Sequence, residues 1–195
     1  MSTWRFRAAL AAGLSITLIG CEDGQGGNPF GGASAGGDAK NIALPQARMA
    51  GGALTLVPPE GFCIDKRSLK RRFALMARCD TLGNPSASAG APMGILTVSI
   101  SDASAAQPLP TPDQTAAAAR LEKVSAQKSE VDAVTFRAEG IPPLKELDTV
   151  QWRGIARVQD QVIGIAFYGP KGGRAISREG REIVNGLIRK TKAAS

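Results

Sequence analysis

The side chains able to do chemistry are few. The 195-residue chain holds three cysteines, Cys21, Cys63 and Cys79, and no histidine. Without imidazole it lacks the usual general base near neutral pH and the commonest metal ligand. Two serine motifs occur all the same: Gly32-Ala33-Ser34-Ala35-Gly36 fits G-x-S-x-G, and Ser125-Ala126-Gln127-Lys128 fits S-x-x-K. The first needs a strand-to-helix turn and a histidine partner, and it lies in a glycine-rich tract. The second needs S-D-N and K-T-G companions that the chain lacks, and it reads as a solvated helix end. Two carboxylate pairs, Glu130 with Asp132 and Glu146 with Asp148, could each share one strand face as in a small hydrolase, yet both adjoin turns, where surface charge is expected. Two thiolates without histidine or a C-x-x-C spacing cannot complete a zinc shell. No metal or cofactor is expected.

Charge is the next signal. The net charge is +7, which favours anionic neighbours without naming one. It concentrates between Cys63 and Cys79, where Lys66, Arg67, Lys70, Arg71 and Arg72 put five basic residues in seven. This is either a patch for an anionic partner or a solvated hairpin tip. A second cationic loop, Lys171, Gly172, Gly173 and Arg174, precedes a helix start. Its backbone N–H groups could hold an anion, or it is a plain turn; the P-loop spacing is absent.

The elements that would position these residues begin with Arg5 and Arg7 ahead of a 12-residue apolar run, Ala8 to Ile19. That length suits a signal h-region and is short of the ~20 apolar residues that span a bilayer. Leu18-Ile19-Gly20-Cys21 resembles the lipobox of bacterial lipoproteins. The resemblance implies a diacylglyceryl group on Cys21, cleavage just before it and acylation of the new amino terminus. Residues 1–20 are then a signal peptide, 21–50 an acylated cysteine and a Gly/Ala/Ser-rich tether, and 51–195 the folded domain. The partner so implied is the lipid bilayer, at the bacterial cell envelope and facing the periplasm. Glu22, in place of an Asp after the cysteine, favours the outer membrane over the inner.

Cleavage removes Arg5 and Arg7, which leaves 22 basic against 17 acidic residues, or +5. Nucleic acid is disfavoured by location; an envelope protein or anionic surface is the partner class that remains, and oligomeric state is not legible. With Cys21 acylated, Cys63 and Cys79 are left as one pair in an oxidising compartment, which points to a structural disulfide. It would close a loop of about 15 residues and contribute roughly 3 kcal/mol in the chain-entropy model.

Within the domain, Ala53–Val57 is a short β-type run, Phe62–Ile64 an extended apolar stretch, and apolar alternation marks strands at Phe73–Cys79 and Leu96–Ile100. It marks others at Val134–Ala138 and Val150–Val158, and Val162–Tyr168 follows as a more uniformly apolar strand. In the third, Phe73, Leu75, Ala77 and Cys79 take the inward phase. Along Val150–Val158, Gln151, Arg153 and Arg157 take the outward one. Gln159-Asp160-Gln161 turns the last two strands into a hairpin near the sheet centre. Thr111, Pro112, Asp113 and Gln114 form a T-x-x-Q helix start, with Ala117, Leu121 and Val124 as its stripe. A last helix, capped by Ser177, carries Ile183, Val184, Leu187 and Ile188. The expected fold is α+β, a single domain with a twisted, mostly antiparallel sheet of about six strands and two packed helices.

This order, with Leu56-Val57-Pro58, Gly61-Phe62 and an Ile-rich terminal helix, is similar to the PsbP-like group of small α+β proteins over residues 50 to 192. The resemblance implies an accessory or binding role and no shared catalytic residues; the cysteine pair and basic insert depart from its pattern. The expected function is a non-catalytic, membrane-anchored envelope lipoprotein. A small-ligand carrier or a carboxylate-based hydrolase is the alternative.

Overall fold

Residues 147–158 alternate apolar and polar side chains over most of their length, residues 162–168 are almost uniformly apolar, and with Gln159-Asp160 between them they form the middle of the molecule. In the computed structural model, which describes residues 42–84, 88, 90–102 and 107–195, β9 (Leu147–Val158) and β10 (Gln161–Pro170) make this hairpin. Its register runs from Gln161 opposite Val158 to Tyr168 opposite Gln151, and Gln159 takes a left-handed φ of 52° to close the turn. The other strands of the main sheet are β1 (Ala43–Leu44), β4 (Phe62–Asp65), β5 (Phe73–Arg78), β6 (Ile95–Asp102), β7 (Glu122–Glu130) and β8 (Ala133–Glu139). The order is β1-β4-β5-β6-β10-β9-β8-β7, and every pairing is antiparallel. A separate two-stranded ribbon joins β2 (Ala47–Met49) to β3 (Leu54–Leu56).

The main sheet therefore has eight strands where about six are expected. The additions are its two edges. β1 has only two residues, too short for any periodicity, and β7 is almost wholly exposed, so neither carries an apolar alternation. Strands also lie ahead of residue 51, where Ala43 and Leu44 pair with Asp65 and Ile64 while Ala47 and Met49 are buried. Within β5 the phase is the reverse of that expected, although Cys79, just past the strand, is buried as expected. Ala74 and Met76 are buried, whereas Phe73 is 39% exposed. Ala74 pairs with Val98 and Met76 with Leu96, so those strands bury the same face.

One face of the sheet is closed by α2 (Arg178–Ala194) and by the β2–β3 ribbon. Val184, Leu187 and Ile188 pack on Trp152, Ala156, Ile165 and their neighbours. Ser177 Oγ accepts from Glu179 N at the helix start, and Trp152 Nε1 donates to Ser177 O at 2.7 Å, tying that start to β9. Gly154 lets the helix approach: a Cβ there would lie 2.7 Å from Val184 Cγ1.

The opposite face carries α1 (Pro112–Ala119), started by the Thr111–Gln114 capping box. Arg120 ends α1 in a left-handed conformation, so Leu121 and Val124 do not continue its stripe; Val124 belongs to β7. Both pack instead on Val134, Phe136, Ala138 and Ile155. At the far edge of this face, Cys63 and Cys79 are joined by a disulfide, Cα–Cα 4.9 Å, and pack with Leu82.

Candidate functional site

The five cations of 66–72 lie at the tip of the β4–β5 hairpin and are not equivalent. Asp65 turns back on the loop and accepts from Arg67 at N, Nε and Nη2 (2.9, 3.1 and 3.0 Å). The Arg67 hydrogen bond holds the Asp65 carboxyl below the usual carboxylate range, against the opposing effect of burial. Arg72 pairs with Asp102 at 2.5 Å. No ion pair among the described residues involves Lys66, Lys70 or Arg71. The tip thus presents three cations without an ion pair among the described residues, where the sequence shows five, and the disulfide closes the base of the hairpin.

Residues 171–174 make a tight turn, with Gly173 N donating to Pro170 O and Gly172 at φ 68°. Arg174 is engaged through Nε and Nη2 by Glu179 (2.7 and 2.6 Å), and its Nη2 also donates to Gly90 O. Ser125 and Lys128 sit on edge strand β7, not at a helix end; Lys128 pairs with Glu130 at 3.0 Å. That contact lowers the Glu130 pKa. Asp80 and Asp102 are lowered by Arg78 and Arg72 in the same way, the direction opposite to that of a carboxyl poised as a general acid. The expected disulfide pair is joined, whereas Cys21 and the serine motif at Gly32–Gly36 lie outside the described residues.

A different residue stands out on the sheet face that α1 only partly covers. Arg153, placed in the outward phase of β9, is half-buried between its register neighbours Phe136 on β8 and Ala166 on β10. It makes no ion pair among the described residues. Its Nη2 lies 3.4 Å from the Tyr168 hydroxyl, its guanidinium carbon is 5.7 Å from the Tyr168 ring centre, and its Nε is buried with no partner among the described residues. Burial pushes its pKa down, and Tyr168 opposes that shift. Arginine keeps its charge even so.

Arg153 borders a cleft of about 260 Å³ between the sheet and α1, with Thr97, Ser99 and Gly164 on the strands and Thr115, Ala118 and Ala119 on the helix. On the same face, Ala77, Ile95, Leu147 and Pro170 line an apolar groove of about 490 Å³.

No family model and no curated protein matches this chain. Among solved structures, a mutant of the protein Mog1 aligns over 76% of this chain and 87% of its own, at 14% identity and a TM-score of 0.39. That likeness is too slight to carry family or function.

Arg153 and its neighbour Gln151, which is fully buried with both side-chain amide atoms unpartnered among the described residues, are absent from the sequence-predicted sites. Strict alternation assigns them to solvent. The cue that speaks against this is Val134–Ala138, whose second apolar row must also be covered. In β8, four successive residues, Ala133 to Phe136, are buried on both faces.

Proposed function

We propose that this chain is a membrane-anchored envelope lipoprotein whose domain binds a partner or ligand and does not catalyse a reaction. The anchor rests on Leu18-Ile19-Gly20-Cys21 behind a signal-length apolar run; two or more acyl chains make such anchoring stable, since each buried CH₂ contributes ~0.8 kcal/mol. Among the described residues no helix is long and apolar enough to cross a membrane. Periplasm-facing attachment, with the outer membrane favoured by Glu22, completes this part of the reading. Palmitate labelling of wild type and Cys21→Ser tests it: label on the wild type alone is expected, and label surviving the substitution sinks the anchor.

The binding role is carried by one observation, the half-open sheet face on which a charged arginine borders a cleft without a carboxylate partner among the described residues. A partner protein docking there is expected to crosslink, in the native envelope, to residues introduced at Ser99 or Ala118. The basic hairpin is a second contact region, for an anionic surface. Lys66, Lys70 and Arg71 changed together to Ala should weaken that contact and flatten its salt dependence, whereas Arg72, held by Asp102, should matter less. A small-ligand carrier is the reading favoured by the cleft and the neighbouring apolar groove.

A further inference from the structure

We propose that the cleft at Arg153 receives the carboxylate of a short-chain organic acid. The inference rests on the binding role above and names the chemistry of what is bound. An arginine presents five N–H donors in a planar fork that matches a carboxylate. Here one donor reaches the Tyr168 hydroxyl at a long 3.4 Å, and Nε has no partner among the described residues.

Four other arginines behave differently: Arg67, Arg72, Arg78 and Arg174 are each matched to an aspartate or glutamate of this chain. Removing a guanidinium from water costs free energy that a carboxylate partner offsets. At Arg153 that partner is missing among the described residues, and an open cleft lies in its place.

The walls select the rest of the ligand. Gly164, Ala118 and Ala119 are small and apolar, while Thr97, Ser99 and Thr115 add hydroxyls. Ser99 Oγ already donates to Gly164 O at 3.3 Å. A volume of about 260 Å³ is below the usual range for drug-sized ligands and suits an acid of a few carbons. One guanidinium balances one negative charge. A phosphate dianion would leave a second charge half-buried without a cation, so the monoanionic carboxylate is preferred over phosphate.

Two features make the site easy to watch. Tyr168 is the only tyrosine in the chain, so its ring resonances report the Arg153 contact without overlap. The Arg153 Nε–H resonance reports the donor itself. The experiment titrates the full acylated chain, in uncharged detergent at fixed ionic strength, with sodium butyrate, with the neutral amide butyramide and with inorganic phosphate.

Butyrate should give saturable shifts at both reporters, and butyramide none. Arg153→Gln should weaken butyrate about tenfold or more, the effect expected for loss of a charge-assisted pair of hydrogen bonds. Ala118→Phe fills the cleft from an exposed helix position with Arg153 retained, and should weaken binding by a similar factor. That variant decides the matter if Arg153→Gln does not fold. Lys171→Ala, at the separate 171–174 turn, should change nothing.

The inference is overturned if butyrate gives no saturable shift, if butyramide shifts the reporters equally, if phosphate binds and butyrate does not, or if Ala118→Phe binds butyrate as wild type does. An envelope crosslink at Ser99 or Ala118 on a chain that ignores butyrate would sink this inference and leave the broader binding role standing.

Discussion

The two faces of the sheet share one backbone and are finished in different ways. Against α2, the side chains of β9 and β10 are Trp152, Ala156, Ile163, Ile165 and Phe167, and a missing Cβ at Gly154 brings the helix close. On the reverse side the same two strands present Gln151, Arg153, Gly164, Ala166 and Tyr168, and the eight-residue α1 covers only the part near β8. The long helix yields a sealed apolar layer, whereas the short one leaves a charged, half-open layer. Stability is thus concentrated on one face and chemical opportunity on the other.

The largest test of that contrast is Leu187→Ala. Leu187 is fully buried at the centre of the sealed face. Its truncation is expected to cost about 3 to 5 kcal/mol, from lost burial and the cavity left behind, read as a drop in the denaturant midpoint at unchanged slope. A loss below about 1 kcal/mol would show that this face is not the main source of stability. Next in size is the disulfide, on the other face and at its far edge. Cys79→Ser, or reduction of the wild type, should lower stability by roughly 3 kcal/mol, measured by the same unfolding curve with and without reductant. Equal midpoints in the two conditions would mean that the bridge adds nothing to the half-open face.

The sealed face is also the one that can be read from the sequence. Trp152, Ala156 and Val158 alternate cleanly, and Ile183 to Ile188 recur at helical spacing; on the reverse face only the start of α1 is legible to the residue, from the Thr111–Gln114 box. Other elements escape for identifiable reasons. β7 is polar apart from Val124 and Ala126 and is interrupted by left-handed residues at Lys123 and Ala126, with register shifts beside them. Bulges and charges of this kind blunt an edge strand against pairing with another chain, and they erase the periodicity by which a strand is recognised.

The phase of β5 reads backwards because both of its rows are apolar. Alternation says that there are two faces, and only the neighbours Leu96 and Val98 decide which is inside. Gln151 and Arg153 are missed for a related reason. A polar row implies solvent only if nothing lies over it, and what lies over it is set by packing outside the strand, at Arg153 by α1.

A smaller effect, and of opposite sign, should come from the half-open face. Arg153→Met removes a desolvated charge without a carboxylate partner among the described residues and keeps an apolar stem of similar length. Stability should hold or rise by up to about 1 kcal/mol, in contrast to the losses above, because a desolvated charge costs the fold more than the apolar stem that replaces it. The unfolding midpoint checks this. A loss of 2 kcal/mol or more would mark Arg153 as structural, held by its contact with Tyr168, and would erase the distinction between the faces.

The smallest effect separates the two kinds of arginine by pH. Asp65 has its folded pKa depressed by Arg67, so its contribution is present above the ordinary carboxylate range and is lost as pH falls through the folded value. The β4–β5 tip should loosen on acidification. Amide protection at Arg67, whose N–H donates to Asp65, should fall with pH in the wild type and already be low, and flat, in Asp65→Asn. Arg153 has no such carboxylate among the described residues, so Arg153→Met should leave this acid limb where it was. If that substitution moved the limb, a carboxylate would have to be acting on Arg153 in the free protein, and the half-open face would be an internally balanced ion site instead of one awaiting an anion.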